Sequence, residues 1–362
     1  SIFNNMIKKT YNIVGVMSGT SLDGIDLCWV KFYKNSQWTF EILAAETIDY
    51  STSTKAKLKT VLSLSSDALS QFNIEYTRQL GHHITTFLKQ NNIQNLDAVC
   101  SHGHTVFHQP ERGLTLQIGN LTQLADYIQQ TLICDFRAQD VAMGGQGAPL
   151  VPVGDAFLFS EYDFCLNLGG FANISFQKQH HRLAFDICPA NLPLNHYVQS
   201  LGFAYDEGGV LAAQGTLNEP LLAALNGLDF YKKKPPKSLG LEWLKCEVYP
   251  LLDQSSIDRN SILRTLVEHT AIQISNTLKQ NKLSKGLYTG GGVLNTFLMA
   301  RIEAHLGYKI QVSDLDLVHY KEALIFGFLG VLKLRNEVNC LQSVTGASQD
   351  HSSGEIYLPT KY

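Results

Sequence analysis

The sequence predicts an α/β protein made of two halves of similar plan. A strand–glycine turn–strand–strand series that opens at residue 11 returns at residue 163. In each half, helical periodicity and short apolar strand runs follow that series. Glycine-rich turns sit directly after strand patterns in both halves, and 362 residues suit about two domains of roughly 150 residues each.

In the first half, YNIVGVMS (11–18), IDLCWVKFY (25–33) and WTFEILAAETI (38–48) read as strands, joined by a glycine-rich turn and a short polar turn. Helical patterns cover 53–63 and 67–90, and short buried strands are expected at 96–103 and 114–119. A helix over 120–130 opens on Asn120 as its cap. The stretch TLICDFRAQDVAMGGQGAPLVP (131–152) reads as a long functional loop. In the second half, DFCLNLGG (163–170), FANISFQKQ (171–179) and RLAFDI (182–187) repeat the strand series. Helices are expected at 191–201, 217–226 and 259–281, a strand running into three glycines over 284–292, and helices at 293–306 and 319–336. The segment QDHSSGEIYLP near the C-terminus reads as a tail or loop without a chemical role. The division falls in 131–150, giving domains 1–133 and 134–362, with part of the C-terminal helical region packing back on the first.

Composition narrows the classes. Hydrophobic residues make up 44% and charged residues 17%, which suits a soluble globular chain. Nothing in a net charge of −3 suggests a binder of nucleic acid or anionic membrane. The longest apolar run, ALIFGFLGVL (323–332), is short of the ~20 residues that span a bilayer and reads as a buried helix. The seven cysteines are dispersed, contain no C-x-x-C, and point to reduced thiols and a cytoplasmic setting. The N-terminal stretch does not read as a signal peptide.

GVMSGTSLDGID (15–26) suits phosphate chemistry, although it is neither G-x-x-x-x-G-K-[ST] nor G-x-G-x-x-G. Its glycines bring backbone N–H groups close to a ligand, and Ser18, Thr20 and Ser21 add hydroxyl donors. Asp23 and Asp26 can hold Mg²⁺ directly or through water. The same residues also suit a plain polar hairpin turn. NLGGFAN (167–173) is a second such turn, and TGGGVLN (289–295) opens a helix whose N-terminus favours anions. Together the three turns suggest a nucleotide held between two domains. His102, His104 and His108 form H-x-H-x-x-x-H, which spacing alone allows as a metal site. Strand alternation would put His102 and His104 on one face, with no carboxylate motif beside them.

GVMSGTSLDGID, SHGHTVFH, TLQIGN, DFRAQDVAMGGQGAPLVP, LNLGGFANISF, FDICPAN and TGGGVLN occur in that order. Over about residues 12–335 the chain resembles the anhydro-N-acetylmuramic acid kinase family, of the actin/hexokinase/Hsp70-like ATPases. The resemblance implies two RNase H-like domains with a central interdomain ATP cleft that closes on its ligands. It implies a first phosphate loop of Ser18, Gly19, Thr20, Ser21, Leu22, Asp23, Gly24, Ile25 and Asp26. Asn167, Gly169, Gly170 and Asn173 would form the second, and Gly290, Gly291, Gly292 and Asn295 the adenosine turn. ATP and Mg²⁺ are the implied cofactors, with Asp23 and Asp26 as metal ligands.

The implied reaction adds water at C1 of a 1,6-anhydro sugar, opens the bridge and phosphorylates O6, giving N-acetylmuramate 6-phosphate in cell-wall recycling. Its general base maps onto Asp186 in AFDICPAN. Without the resemblance, Asp186 reads as a strand end capping the next helix. Arg137 suits the substrate's lactyl carboxylate, its alternative being an ion pair with Asp135 or Asp140. His102, Thr105, Gln117 and Asn191 would line the sugar pocket. Glu322 would face the same ligands, or merely complement a helix dipole. The partner is a small sugar, with no nucleic acid or membrane, and a homodimer is compatible with the reading. The chain departs from the family pattern at Ala184, Cys188, His104 and Val153–Gly154–Asp155, all expected near the sugar pocket, while the phosphate loops are intact. Alternatives left open are a same-fold kinase of another small sugar, a non-enzymatic nucleotide-gated binding protein, and a metallohydrolase using the histidines.

Overall fold

A computed structural model describes residues 8–19 and 21–360. It divides into two compact units. One runs to Leu158 and resumes at Tyr320; the other is Phe159–His319.

In the first unit, β1 (Thr10–Ser18), β2 (Ile25–Lys34) and β3 (Trp38–Ile48) form an antiparallel meander. β4 (Ala98–Gln109) joins β1 in parallel, β5 (Leu114–Ile118) folds back on β4, and β6 (Leu132–Cys134) pairs with β4 in parallel. β1 is buried at nearly every position because both of its faces are covered. Val14 and Val16 enter a core with Phe72, Tyr76, Leu80, Ile84 and Phe87 of the helix Ser66–Gln90. The opposite face meets the helix Leu315–Leu334, where a Cβ on Gly15 would stand 1.9 Å from the Ala323 carbonyl oxygen. Only a glycine permits that approach.

The second unit repeats the plan. β7 (Phe164–Leu168), β8 (Phe171–Lys178) and β9 (His181–Pro189) are antiparallel, and β10 (Gly286–Thr289) joins β7 in parallel. The strand order is β10-β7-β8-β9. Its core combines Phe164, Leu166, Ile174 and Ile187 with Leu263, Val267 and Ile274 of the helix Arg259–Gln280. Both sheets thus carry an antiparallel meander with a parallel fourth strand beside the first, which is the RNase H-like order, and the α/β expectation is borne out.

Two expectations are corrected. The stretch 131–152 is not a loop throughout: it contains β6 and the helix Ala138–Ala142, and Val151–Leu158 is a further helix. The LIC triplet of β6 is wholly buried beside β4, and a Cβ on Gly154 would stand 2.7 Å from Ile325 of the helix Leu315–Leu334. These contacts move the division from 133/134 to 158/159 and return Tyr320 onward to the first unit. The C-terminal segment is not a plain tail either: β11 (Glu355–Tyr357) pairs antiparallel with β6. Strands of three residues are too short to show a period in sequence. Among the described residues, no helix is long and apolar enough to cross a membrane.

Candidate functional site

The first glycine turn links β1 to β2 and is closed by the Leu22 amide donating to the Gly19 carbonyl at 3.3 Å. Ser21 and Asp23 are exposed, whereas Gly24 and Ile25 are buried. Ile25 is a core residue of this unit, so only its backbone remains for a ligand. Thr20 lies outside the described residues. Ser18 is buried and its hydroxyl is engaged by the Tyr50 hydroxyl, by His104 Nδ1 at 3.1 Å and by the Tyr76 hydroxyl at 3.1 Å. It therefore anchors the base of the turn, a role its sequence context did not suggest. Asp26 accepts from Thr47 Oγ1 at 2.6 Å, and burial holds its carboxyl above the usual range.

Arg137 forms the centre of a polar group in the same unit. Its Nε donates to His102 Nε2 at 2.8 Å and its Nη1 to the Gly147 carbonyl at 2.7 Å. The guanidinium also lies 5.7 Å from the centre of the Phe326 ring. The ion pairs considered for Arg137 are not the ones formed: Asp135 accepts from Asn120 Nδ2 at 3.1 Å, and Asp140 Oδ2 from the Gly147 amide at 2.7 Å. Asp140 thus braces the loop whose carbonyl holds Arg137. Glu322 is open to solvent; desolvation by the protein around it raises its pKa, and the charges of Arg137 and Lys321 oppose that rise.

His102 Nδ1 pairs with the Gly103 carbonyl at 2.8 Å and so must donate, which leaves Nε2 as the acceptor for Arg137. Burial, with Arg137 beside it, holds the His102 pKa well below the ordinary histidine value. His104 points elsewhere, toward Ser18 and Tyr76. The expected shared face fails because β4 carries one extra residue against β1 here, and Gly103 takes φ +77°. Such a bulge re-aims the side chains that follow it. His108 Nδ1 meets Thr115 Oγ1 at 2.9 Å, and among the described residues the three histidines form no metal cluster. Gln117 Nε2 donates to Thr105 Oγ1 at 3.3 Å across the β4–β5 pair.

In the second unit the assigned residues gather at one end of the sheet. Asn173 is the register partner of Asp186, and one extra residue of β9 sits beside that pair. The segment after residue 236 binds Asp186 twice: the Asp186 amide donates to the Lys237 carbonyl at 3.1 Å, and the Leu239 amide donates to Asp186 Oδ2 at 2.7 Å. Burial raises the Asp186 pKa and the Leu239 bond partly restrains it. The Gly169–Gly170 turn accepts amides of Ala190, Asn191 and Leu192, and Asn191 Nδ2 donates to the Leu168 carbonyl at 3.1 Å. Gly290 adopts φ +88°, and a Cβ there would meet Asn167 Oδ1 at 2.5 Å. A Cβ on Gly291 would meet nothing within 4 Å, so that backbone faces open space. Asn295 caps the helix Thr296–Leu306 through the Leu298 amide at 3.0 Å, which accounts for its side chain structurally.

Sequence reasoning missed the Leu239 amide, the Gly147 carbonyl and the tyrosines around Ser18. Backbone groups leave no mark in a sequence, and Tyr50 and Tyr76 lie far from the loop they support. The departures from the family pattern have these surroundings. Cys188 is in the second core, His104 faces Ser18, and Val153 and Asp155 lie buried in the helix Val151–Leu158.

A family model described as anhydro-N-acetylmuramic acid kinase matches residues 11–359. The chain is 36% identical to an anhydro-N-acetylmuramic acid kinase of Mannheimia succiniciproducens, over 97% of this chain and 100% of that one. It is 34% identical to one of Saccharophagus degradans, over 96% and 98%. Among solved structures, component A of the Acidaminococcus fermentans (R)-2-hydroxyglutaryl-CoA dehydratase is similar at 13% identity and a TM-score of 0.48, covering 88% of this chain and 96% of its own. By the family model and by these relatives, the chain belongs to the anhydro-N-acetylmuramic acid kinase family.

Proposed function

We propose that the protein is an ATP-dependent carbohydrate kinase that hydrolytically opens 1,6-anhydro-N-acetylmuramic acid and phosphorylates O6, yielding N-acetylmuramate 6-phosphate in peptidoglycan recycling. The observation that carries this reading is the state of Asp186. Its Oδ2 is fastened by the Leu239 amide, and desolvation raises its pKa. A carboxylate held in one orientation with raised basicity suits a general base that takes a proton from water.

The remaining roles follow from the chemistry of each group. Arg137, anchored by His102 and Gly147, presents its outer edge to the lactyl carboxylate. Thr105, Gln117 and Asn191 supply hydrogen bonds to sugar hydroxyl and amide groups. Glu322, open to solvent beside the charge of Arg137, orients the sugar or the metal. The groups present fit a magnesium nucleotide. Gly291 leaves room that a Cβ would fill, the Gly19, Gly169 and Gly170 turns offer backbone amides, and Asp23 and Asp26 are hard oxygen donors for Mg²⁺. When bound, Mg-ATP supplies the phosphoryl group and the cation that neutralises its charge. All seven cysteines are reduced thiols, six of them buried, which suits a cytoplasmic enzyme.

A kinase of the same fold for another sugar rested on the departures from the family pattern. Of these, Cys188, Val153, Gly154 and Asp155 are buried, Ala184 is half-buried on β9 and His104 faces Ser18, which supports the family's own substrate. The test is ADP release from Mg-ATP with 1,6-anhydro-N-acetylmuramate, with Asp186→Asn alongside. Sugar-dependent release should fall by about 10³-fold or more in the variant, with ATP affinity nearly unchanged. Unaltered turnover in Asp186→Asn would remove its assignment as base. Absence of stimulation by this sugar would remove the substrate.

A further inference from the structure

A second polar cluster of the first unit takes no part in the reaction above. Asp140 lies on the helix Ala138–Ala142, while Cys340 and His351 face each other across an isolated antiparallel bridge. All three are buried, and one ligating atom from each lies within 4.8 Å of the other two. Among the described residues no other group of three such side chains converges in this way.

The orientation of His351 is informative. Its Nδ1 pairs with the Gln349 carbonyl at 3.0 Å and must donate to it, so Nε2 turns its lone pair inward. Nε2 has no hydrogen-bond partner and stands 3.4 Å from Asp140 Oδ1. Two acceptor atoms facing each other in a dry interior repel unless a cation lies between them. A proton on His351 would answer that repulsion but leaves Cys340 without a part. A borderline-soft divalent ion uses all three groups, because thiolate, imidazole and carboxylate are the zinc donor set. The outer contacts also match what metal ligands carry. Asp140 Oδ2 accepts from the Gly147 amide at 2.7 Å, Asp140 Oδ1 from Thr345 Oγ1 at 2.7 Å, and His351 Nδ1 is held by a carbonyl.

We propose that Asp140, Cys340 and His351 form a Zn²⁺ site that clamps the C-terminal segment 339–353 to the segment 137–147 bearing Arg137. On binding, the Cys340 thiol gives its proton to solvent and coordinates as thiolate, His351 coordinates as neutral imidazole, and water completes the shell. The proposal does not depend on which sugar is the substrate.

The test uses the full chain, stripped with a chelator and re-equilibrated with Zn²⁺ or Co²⁺ in competition with a chromophoric chelator. The expected result is one equivalent of zinc per chain and, with cobalt, a thiolate-to-metal charge-transfer band. Cys340→Ser should abolish that band, and His351→Asn should weaken zinc binding by at least about tenfold. Cys246→Ser, which alters the exposed cysteine, should change neither. Circular dichroism checks that each variant is folded. A wild-type chain that takes up no equivalent of zinc overturns the proposal whatever the variants do. So does zinc uptake that His351→Asn and Cys340→Ser leave unchanged; a stability that responds at His351 to pH but not to zinc assigns the cluster to a proton instead.

Discussion

Arg137 Nε donates to His102 Nε2 at 2.8 Å, and this bond defines the state of both side chains. The imidazole is neutral, with its other nitrogen donating to the Gly103 carbonyl, and the guanidinium is locked by its second bond to Gly147. Lysine lacks the planar fork that aims Nε and Nη1 at two separate acceptors. Arg137→Lys should therefore lower kcat/KM for the sugar by about 10²-fold, the cost of a lost charged hydrogen bond, and leave KM for ATP little changed. His102→Gln, which keeps an acceptor, should be milder than His102→Ala. Equal losses in steady-state kinetics would show that the anchoring bond does not matter.

His104 makes stability depend on pH. Burial lowers its pKa from 6.5 to about 4, so the folded state prefers the neutral ring. The unfolded chain binds the proton first. The contribution is complete above pH 6.5 and is lost as pH falls toward about 4. This group alone should remove about 2 kcal/mol between pH 7.5 and pH 5. Urea midpoints across that range should show a shallower slope in His104→Gln than in the wild type.

Asp186 must be ionised to act as a base, and its raised pKa should lift the acid limb of kcat/KM above the usual carboxylate range. Leu239→Pro deletes the amide that stabilises the ionised form. The acid limb should then move higher still, so that activity falls more at pH 6 than at pH 8. A limb that stays in place in pH-rate profiles would mean that Leu239 only supports the fold.

Adjacent glycines of the third turn should separate fold from binding. Gly290→Ala meets Asn167 and Leu168 at a positive φ and should destabilise by about 1–3 kcal/mol. Gly291→Ala meets nothing within 4 Å. It should melt like the wild type while binding nucleotide more weakly, as read by calorimetry. Unchanged nucleotide affinity in Gly291→Ala would remove this turn from the ATP site.

Lys321 Nζ and Asp155 form a buried ion pair at 2.6 Å between the helices Leu315–Leu334 and Val151–Leu158. Removing one charge breaks this pairing while the other charge stays buried, so Lys321→Met or Asp155→Leu alone should cost about 3–5 kcal/mol. The double variant should recover much of that loss in denaturant titrations. Additive losses would show that the pair is not coupled.

Long apolar strands and amphipathic helices were legible because their periods repeat over many residues. β1, β2, β3, β7, β8 and the helices Ser66–Gln90 and Arg259–Gln280 fall within a residue or two of expectation. β6 and β11, at three residues each, carry no readable period. The helix Val151–Leu158 was passed over because glycine and proline mark its sequence as loop.

By itself the sequence determined the two-fold strand plan, the three glycine turns and the ordered motifs that single out Asp186 and Arg137. Those signals are local, and a short window of residues carries each of them. Only the tertiary structure decided that a bulge at Gly103 parts His102 from His104, and that Ser18 and Asn295 spend their side chains on structure. It also decided that the Leu239 amide holds Asp186 and that Asp140 meets Cys340 and His351. Each of these depends on chain segments far apart in sequence that meet only through sheet register and helix packing. No local pattern encodes such a meeting, because its partners are chosen by the whole fold.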